Sequence, residues 1–190
     1  MKKIILTVAA VFALSFANAQ DKKEGSAGFA KGDLYLTGEA SLMNEKQGDV
    51  KTDGLTLSPG LGYFLTDNVA LVGALEVGSS KDAAGDKTST FGLHAGVKYF
   101  WTPASQFSLS IGGELAYDTA KVGDVKTNTI GLMVPVGLHY FVSNNFAITS
   151  TWGGLNYSSE KVDVTGAEAK NTLGLKLDMS AINFGLLYKL

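Results

Sequence analysis

The sequence predicts an all-β chain folded as a closed, eight-stranded, antiparallel, up-and-down transmembrane β-barrel. Three observations point there: apolar residues recur with period two, tight and long connections alternate, and the apolar faces are too bulky for a small barrel to enclose. The chain has 190 residues, 45% of them hydrophobic and 18% charged, a length that suits one domain. It has no Cys, which excludes disulfide scaffolds, thiolate metal sites and a cysteine nucleophile. All 16 basic residues are Lys and the net charge is −2, so the Arg forks and basic patches of nucleic-acid binding are missing.

Residues 1–19 read as a cleaved signal peptide. Lys2 and Lys3 precede an apolar stretch from Ile4 to Phe16 that is too short to cross a bilayer, and Ala17-Asn18-Ala19 fits a cleavage site before Gln20. Export is therefore expected. No later stretch approaches the ~18 apolar residues of a membrane helix. Residues 20–32 are polar and rich in Gly, Ala and Lys, and are expected to form a flexible lead-in to a domain spanning 33–190.

From Asp33 onward, eight segments alternate apolar with small or polar residues, as strands with one apolar face do. The first contains Leu34, Leu36, Ala40 and Leu42; the second runs from Leu55 to Leu65; the third holds Val69, Leu71, Leu75 and Val77. The fourth spans Phe91 to Trp101, the fifth Phe107 to Tyr117 and the sixth Ile130 to Val142. The seventh runs from Phe146 to Tyr157 with a phase shift at Gly153-Gly154, where a bulge is expected. The eighth runs from Leu173 to Leu190 and shifts phase near Ser180-Ala181. Pro59 and Pro135 fall inside strands, where each removes a ladder hydrogen bond, so bulges are expected there too.

Tight turns are expected at Thr66-Asp67-Asn68, Thr102-Pro103-Ala104-Ser105 and Ser143-Asn144-Asn145, and long polar loops near 44–54, 79–89, 118–128 and 158–171. A repeat of Tyr63-Phe64, Tyr99-Phe100 and Tyr140-Phe141 precedes the tight turns. Folding each hairpin at its turn sets Tyr63 opposite Leu71, Tyr99 opposite Leu109 and Tyr140 opposite Ile148.

The apolar faces carry roughly forty large side chains, whereas an eight-stranded barrel has room inside only for a modest filling. The opposite parity holds Gly60, Gly62, Ala70, Gly92, Gly96, Ser108, Ser110 and Gly112, too few charges for a soluble surface. Apolar side chains outward to lipid and small or polar ones inward resolve both mismatches, and closure satisfies the backbone within hydrocarbon. Tyr63, Tyr99, Trp101, Tyr140 and Tyr188 then form an aromatic girdle at the tight-turn end.

On these features, above all the repeated Tyr-Phe-turn and the closing Phe184-Gly185-Leu186-Leu187-Tyr188-Lys189-Leu190, residues 33–190 resemble the small OmpA/OmpX-type outer-membrane β-barrels, the porin-family group with an outer membrane protein β-barrel domain. The resemblance implies a cell outer membrane location with periplasmic termini and extracellular long loops. It also implies contact with the lipid bilayer and insertion by the barrel-assembly machinery. The family's last strand commonly ends in an aromatic residue that assists assembly, whereas here Leu190 is last and Tyr188 stands two before it.

The inward parity offers the chemistry. Glu76, His94 and Glu114 are expected opposite one another near mid-height, with Glu39, Lys98, His139, Lys176 and Asp178 also inward. No HExxH or GxSxG occurs, and no catalytic residue, metal site or cofactor is assigned. The expected role of these residues is a polar network of partnered charges. Phe64, Phe100 and Phe141 point inward at one level as a constriction. The expected function is a non-enzymatic outer-membrane barrel with a structural or surface role exercised through four external loops. The alternatives are a narrow porin-like channel and a soluble periplasmic lipocalin-like binding barrel.

Overall fold

The computed structural model describes residues 27–47, 50–82, 85–177 and 183–190. Its strands are β1 (Leu34–Gln47), β2 (Val50–Phe64), β3 (Val69–Lys81), β4 (Lys87–Trp101), β5 (Phe107–Val122), β6 (Val125–Phe141), β7 (Phe146–Val162), β8 (Lys170–Leu177) and β9 (Asn183–Lys189). Each of β1 to β7 pairs antiparallel with the next, and β8 and β9 both pair with β7 as two parts of one eighth stave. β9 also pairs with β1, from Tyr35↔Lys189 to Glu39↔Gly185, and this closes an eight-stranded barrel. Every strand but β8, which pairs with β7 alone among the described residues, thus has two hydrogen-bonded neighbours, the condition for crossing hydrocarbon with strands.

The outward parity is the apolar one. Leu93 is 51% exposed, Leu132 48% and Leu175 69%, and the exposed large residues include leucines, valines and aromatics on β2 through β9. Glu114, by contrast, is buried. This overturns the soluble lipocalin-like alternative, which needs the apolar parity inside. An uninterrupted belt of this kind is stable only against lipid.

The turns are built by side chains at equivalent positions. Thr66 Oγ1 accepts the Val69 N–H at 3.0 Å, and Ser143 Oγ accepts the Phe146 N–H at 3.1 Å. The amides of Asn68, Gln106 and Asn145, each just before a strand, donate to the carbonyls of Phe100, Phe141 and Lys189, all at 2.9 Å. Those same three residues return backbone N–H bonds to Asn68, Gln106 and Asn145. Each hairpin is thereby latched to its neighbour at the turn end.

Four expectations about register and connections need correction. Tyr63↔Leu71 and Tyr140↔Ile148 pair as expected, but Tyr99 faces Ile111 and Trp101 faces Leu109. The turn after β4 is longer than its neighbours: Pro103 has no N–H to extend the ladder, and Thr102 takes a positive φ of 50°. Pro59 makes no bulge, since it stays opposite Gly38 and the β2–β3 register is the same on either side of it. The β6–β7 register does shift between Pro135 and Gly137, across from Gly153-Gly154.

The long loops are mostly strand. β5 and β6 stay paired as far as Val122↔Val125, and β1 and β2 as far as Gln47↔Val50. Polar Thr, Ser and Lys carry no alternation signal, yet their backbones continue the ladder beyond the apolar belt. Finally, within the expected flexible lead-in, Gly28 and Phe29 are buried in the barrel end, Phe29 only 2% exposed. The signal peptide and the phase shift near Ser180 lie outside the described residues.

Candidate functional site: the barrel lumen

Large inward side chains face glycines. Tyr35 sits opposite Gly62, Glu39 opposite Gly185, Glu76 opposite Gly92, Lys98 opposite Gly112, and Glu114 opposite Gly96. A small barrel admits a bulky inward residue only where its neighbour yields the space, which gives much of the glycine content its purpose. At Gly62 a Cβ would land on the Tyr35 ring.

The polar side chains form tiers. Nearest the long hairpins, His94 Nε2 meets Asp118 Oδ1 at 2.9 Å. Gly92 is the hollow they share with Glu76: a Cβ there would stand 3.1 Å from Glu76 Cβ and 3.3 Å from His94 Nε2. The expected facing of Glu76, His94 and Glu114 is therefore corrected. His94 has Ala74 and Ala116 as register partners, and its polar partner is Asp118, which sequence reasoning had not singled out. Glu114 belongs to the next tier, where its Oε1 lies 3.1 Å from Lys98 Nζ. Register slant explains the difference: side chains at equal heights along two strands need not be direct partners.

Below this ion pair, Ser110 Oγ and His139 Nε2 are 2.9 Å apart and buried. They help line an interior cavity of about 50 Å³, bounded also by Tyr35, Glu39, Lys98 and Thr149. That is room enough for water, which needs about 10–15 Å³ of such space. His139 Nδ1 is buried with no hydrogen-bond partner among the described residues. Lys176 is placed only by its backbone, opposite Gly154, and Asp178 lies outside the described residues. An open groove of about 580 Å³, lined by Tyr117, Ile130, Lys161 and Val164 among others, flanks the hairpin loop at 163–169, away from these tiers.

The turn end is aromatic. Phe64, Phe100 and Phe141 are all 0% exposed. Phe29 enters between them, its ring centroid 4.7 Å from Phe64, 5.3 Å from Phe100 and 4.9 Å from Phe141. Phe29 was missed because a lone aromatic in a polar stretch has no periodicity to mark it. Lys189 completes the ring: it follows Tyr188 as Phe64 follows Tyr63, and its Nζ donates to the Gly28 carbonyl at 2.6 Å. On the outer surface at this end, Tyr63, Tyr99, Trp101 and Tyr140 are exposed, and Tyr188 is partly so.

A closed β-barrel with an apolar exterior, a polar interior and tyrosines around one rim is an integral membrane protein of the strand-spanning class. The particular family follows from comparison: the model of the outer membrane protein β-barrel domain matches residues 6–189, and the chain belongs to that family. It therefore resides in the outer membrane, in contact with the lipid bilayer. Among solved structures, the outer membrane protein OprG from Pseudomonas aeruginosa is 13% identical with a TM-score of 0.54, covering 87% of this chain and 99% of that one. Neisserial surface protein A is 18% identical with a TM-score of 0.51, covering 83% of this chain and 97% of that one. At these identities the likeness is one of fold. A comparison with curated proteins gives no match.

Proposed function

We propose that this protein is a non-catalytic outer-membrane barrel with a sealed polar lumen, its tight turns and termini in the periplasm and its long hairpins outside the cell. The observation that carries the reading is the burial of Phe64, Phe100 and Phe141 at one level of the interior. Closed by these rings and by Phe29 packed among them, the small barrel holds no continuous water column. In this reading Glu39, Glu76, His94, Lys98, Glu114 and His139 hold the interior together as a network of partnered charges. Lys176 and Asp178 are proposed to join it. Tyr63, Tyr99, Trp101, Tyr140 and Tyr188 anchor the periplasmic rim in the headgroup layer. The extended polar hairpins supply the surface that meets the outside, and insertion depends on the barrel-assembly machinery.

Protease applied to intact cells tests the orientation: cleavage near Gly166 is expected, with the 66–68 turn protected until the membrane is opened. The reverse pattern refutes it. Planar-bilayer recording of the refolded wild-type barrel tests the seal, with a flat baseline expected. A second reading, a narrow channel, is favoured by one observation: Lys98 lines the interior cavity and is also 26% exposed by its side chain, so water from the hairpin end reaches mid-barrel. Steady unitary conductance from the wild-type protein would select that reading.

A further inference from the structure

We propose that residues 27–33 are a built-in stopper, and that Phe29 is the last obstruction on a polar path through the barrel. The inference rests on the sealed-barrel reading and assigns the seal to a segment outside every strand. The polar pairs nearer the hairpins are partly exposed, His94 and Glu114 by 19% and 11% of their side chains, and the turn end is closed. The Asp118 side chain is 40% exposed and Lys98 26%, whereas Phe100 and Phe141 are fully buried. The vestibule therefore opens from the hairpin end to the Lys98–Glu114 pair, and the small cavity lies directly beneath. Tyr35 both lines that cavity and packs against Phe29, with ring centroids 5.3 Å apart. Phe29 thus stands between the cavity and the turn-side exit.

The site that receives it is preformed by the chain's own repeat. Phe64, Phe100, Phe141 and Lys189 occupy four equivalent positions after the four rim tyrosines. Three supply ring walls, and the fourth supplies a cation that grips the segment's backbone. Lys189 Nζ also lies 3.8 Å from Asp33 and 5.6 Å from the centroid of the Phe141 ring. The Phe29 N–H donates to the Pro103 carbonyl at 2.7 Å, and the Gly32 N–H donates to the Phe64 carbonyl at 2.9 Å. Gly28 has φ +105°, and a Cβ there would collide with the Ala104 backbone, so only glycine fits this close approach. The segment is held by discrete polar contacts and one inserted ring, with no sheet ladder of its own. Carboxylates at Glu39, Glu76, Glu114 and Asp118 outnumber the lysine, Lys98, on the path above it, so an opened barrel passes small cations in preference to anions.

The experiment compares Phe29→Ala with the wild-type protein, each refolded into lipid and accepted only if its unboiled gel mobility is shifted. One readout is conductance across planar bilayers. The other uses the absence of native cysteine: Thr149→Cys, in the cavity wall, is exposed to a small cationic thiol reagent in both backgrounds. Reactivity tracks the population of the opened form, so removing the stopper should raise both readouts by about tenfold or more. A folded Phe29→Ala barrel with wild-type conductance and wild-type thiol reactivity overturns the stopper while leaving the sealed-barrel reading intact. A wild-type protein that already conducts as freely as the variant overturns both. If Phe29→Ala yields no folded barrel, Lys189→Met, which releases the Gly28 carbonyl but keeps every ring, carries the same two readouts and the same criteria.

Discussion

The orientation of the two faces is most directly tested by placing a charge in the belt. Leu93 points outward on β4, is 51% exposed, and lies six residues up the strand from the rim residue Tyr99. A strand rises about 3.3 Å per residue and tilts by about 40°, giving about 2.5 Å of height per residue. Leu93 therefore stands about 15 Å above the girdle of an apolar band about 25 Å tall, close to its middle. A lysine there costs about 2–4 kcal/mol, whereas near the interface the cost falls to about 0–1 kcal/mol. Ser89, on the same strand and face, lies four residues further from the rim at the band's edge and is the matched control. Leu93→Lys should shift the folding equilibrium by about 30- to 700-fold, and Ser89→Lys by less than about 5-fold. Denaturant titration of protein refolded in phospholipid vesicles measures this, with unboiled gel mobility as the folding signal. Equal small effects at the two positions would refute the lipid-facing assignment of this parity.

Three further outcomes follow from the interior and the turns. Gly62→Val should destabilise the barrel by about 1–3 kcal/mol by overpacking, because its Cβ meets the Tyr35 ring, and in a double-mutant cycle the added loss should largely vanish in a Tyr35→Ala background. Lys98→Met strands the Glu114 carboxylate and should cost about 1–3 kcal/mol, most of it restored by Glu114→Gln in a double-mutant cycle. Additive single effects in that cycle would show that the 3.1 Å contact carries no coupling. Asn145→Ala removes the amide donor to the Lys189 carbonyl and should cost about 0.5–1.5 kcal/mol, whereas Asn144→Ala, exposed one residue earlier in the same turn, should leave the midpoint unchanged.

What could be read from letters alone was whatever repeats at short range. Leu93, Phe91 and Val97 announced an outward face because a strand's side chains alternate, and too many of them recur to fit inside. The Tyr-Phe pairs announced the rim and the inner ring by recurring at each tight turn. Lys189 was missed, although it follows Tyr188 in the position Phe occupies elsewhere. The strand character of the outer hairpins was not, because Thr, Ser and Lys on both faces give no alternation to count.

Reading the letters was enough for the apolar spans of the strands, their outward and inward parities and the level of the aromatic rim, because each depends only on backbone period and local turn chemistry. That His94 meets Asp118, that Lys98 meets Glu114 and that Phe29 fills the ring came from the folded barrel. Those partners lie on different strands, or outside any strand, and their meeting depends on the slant and closure of the barrel. Local pattern fixes which way a side chain points, and closure fixes what it finds there.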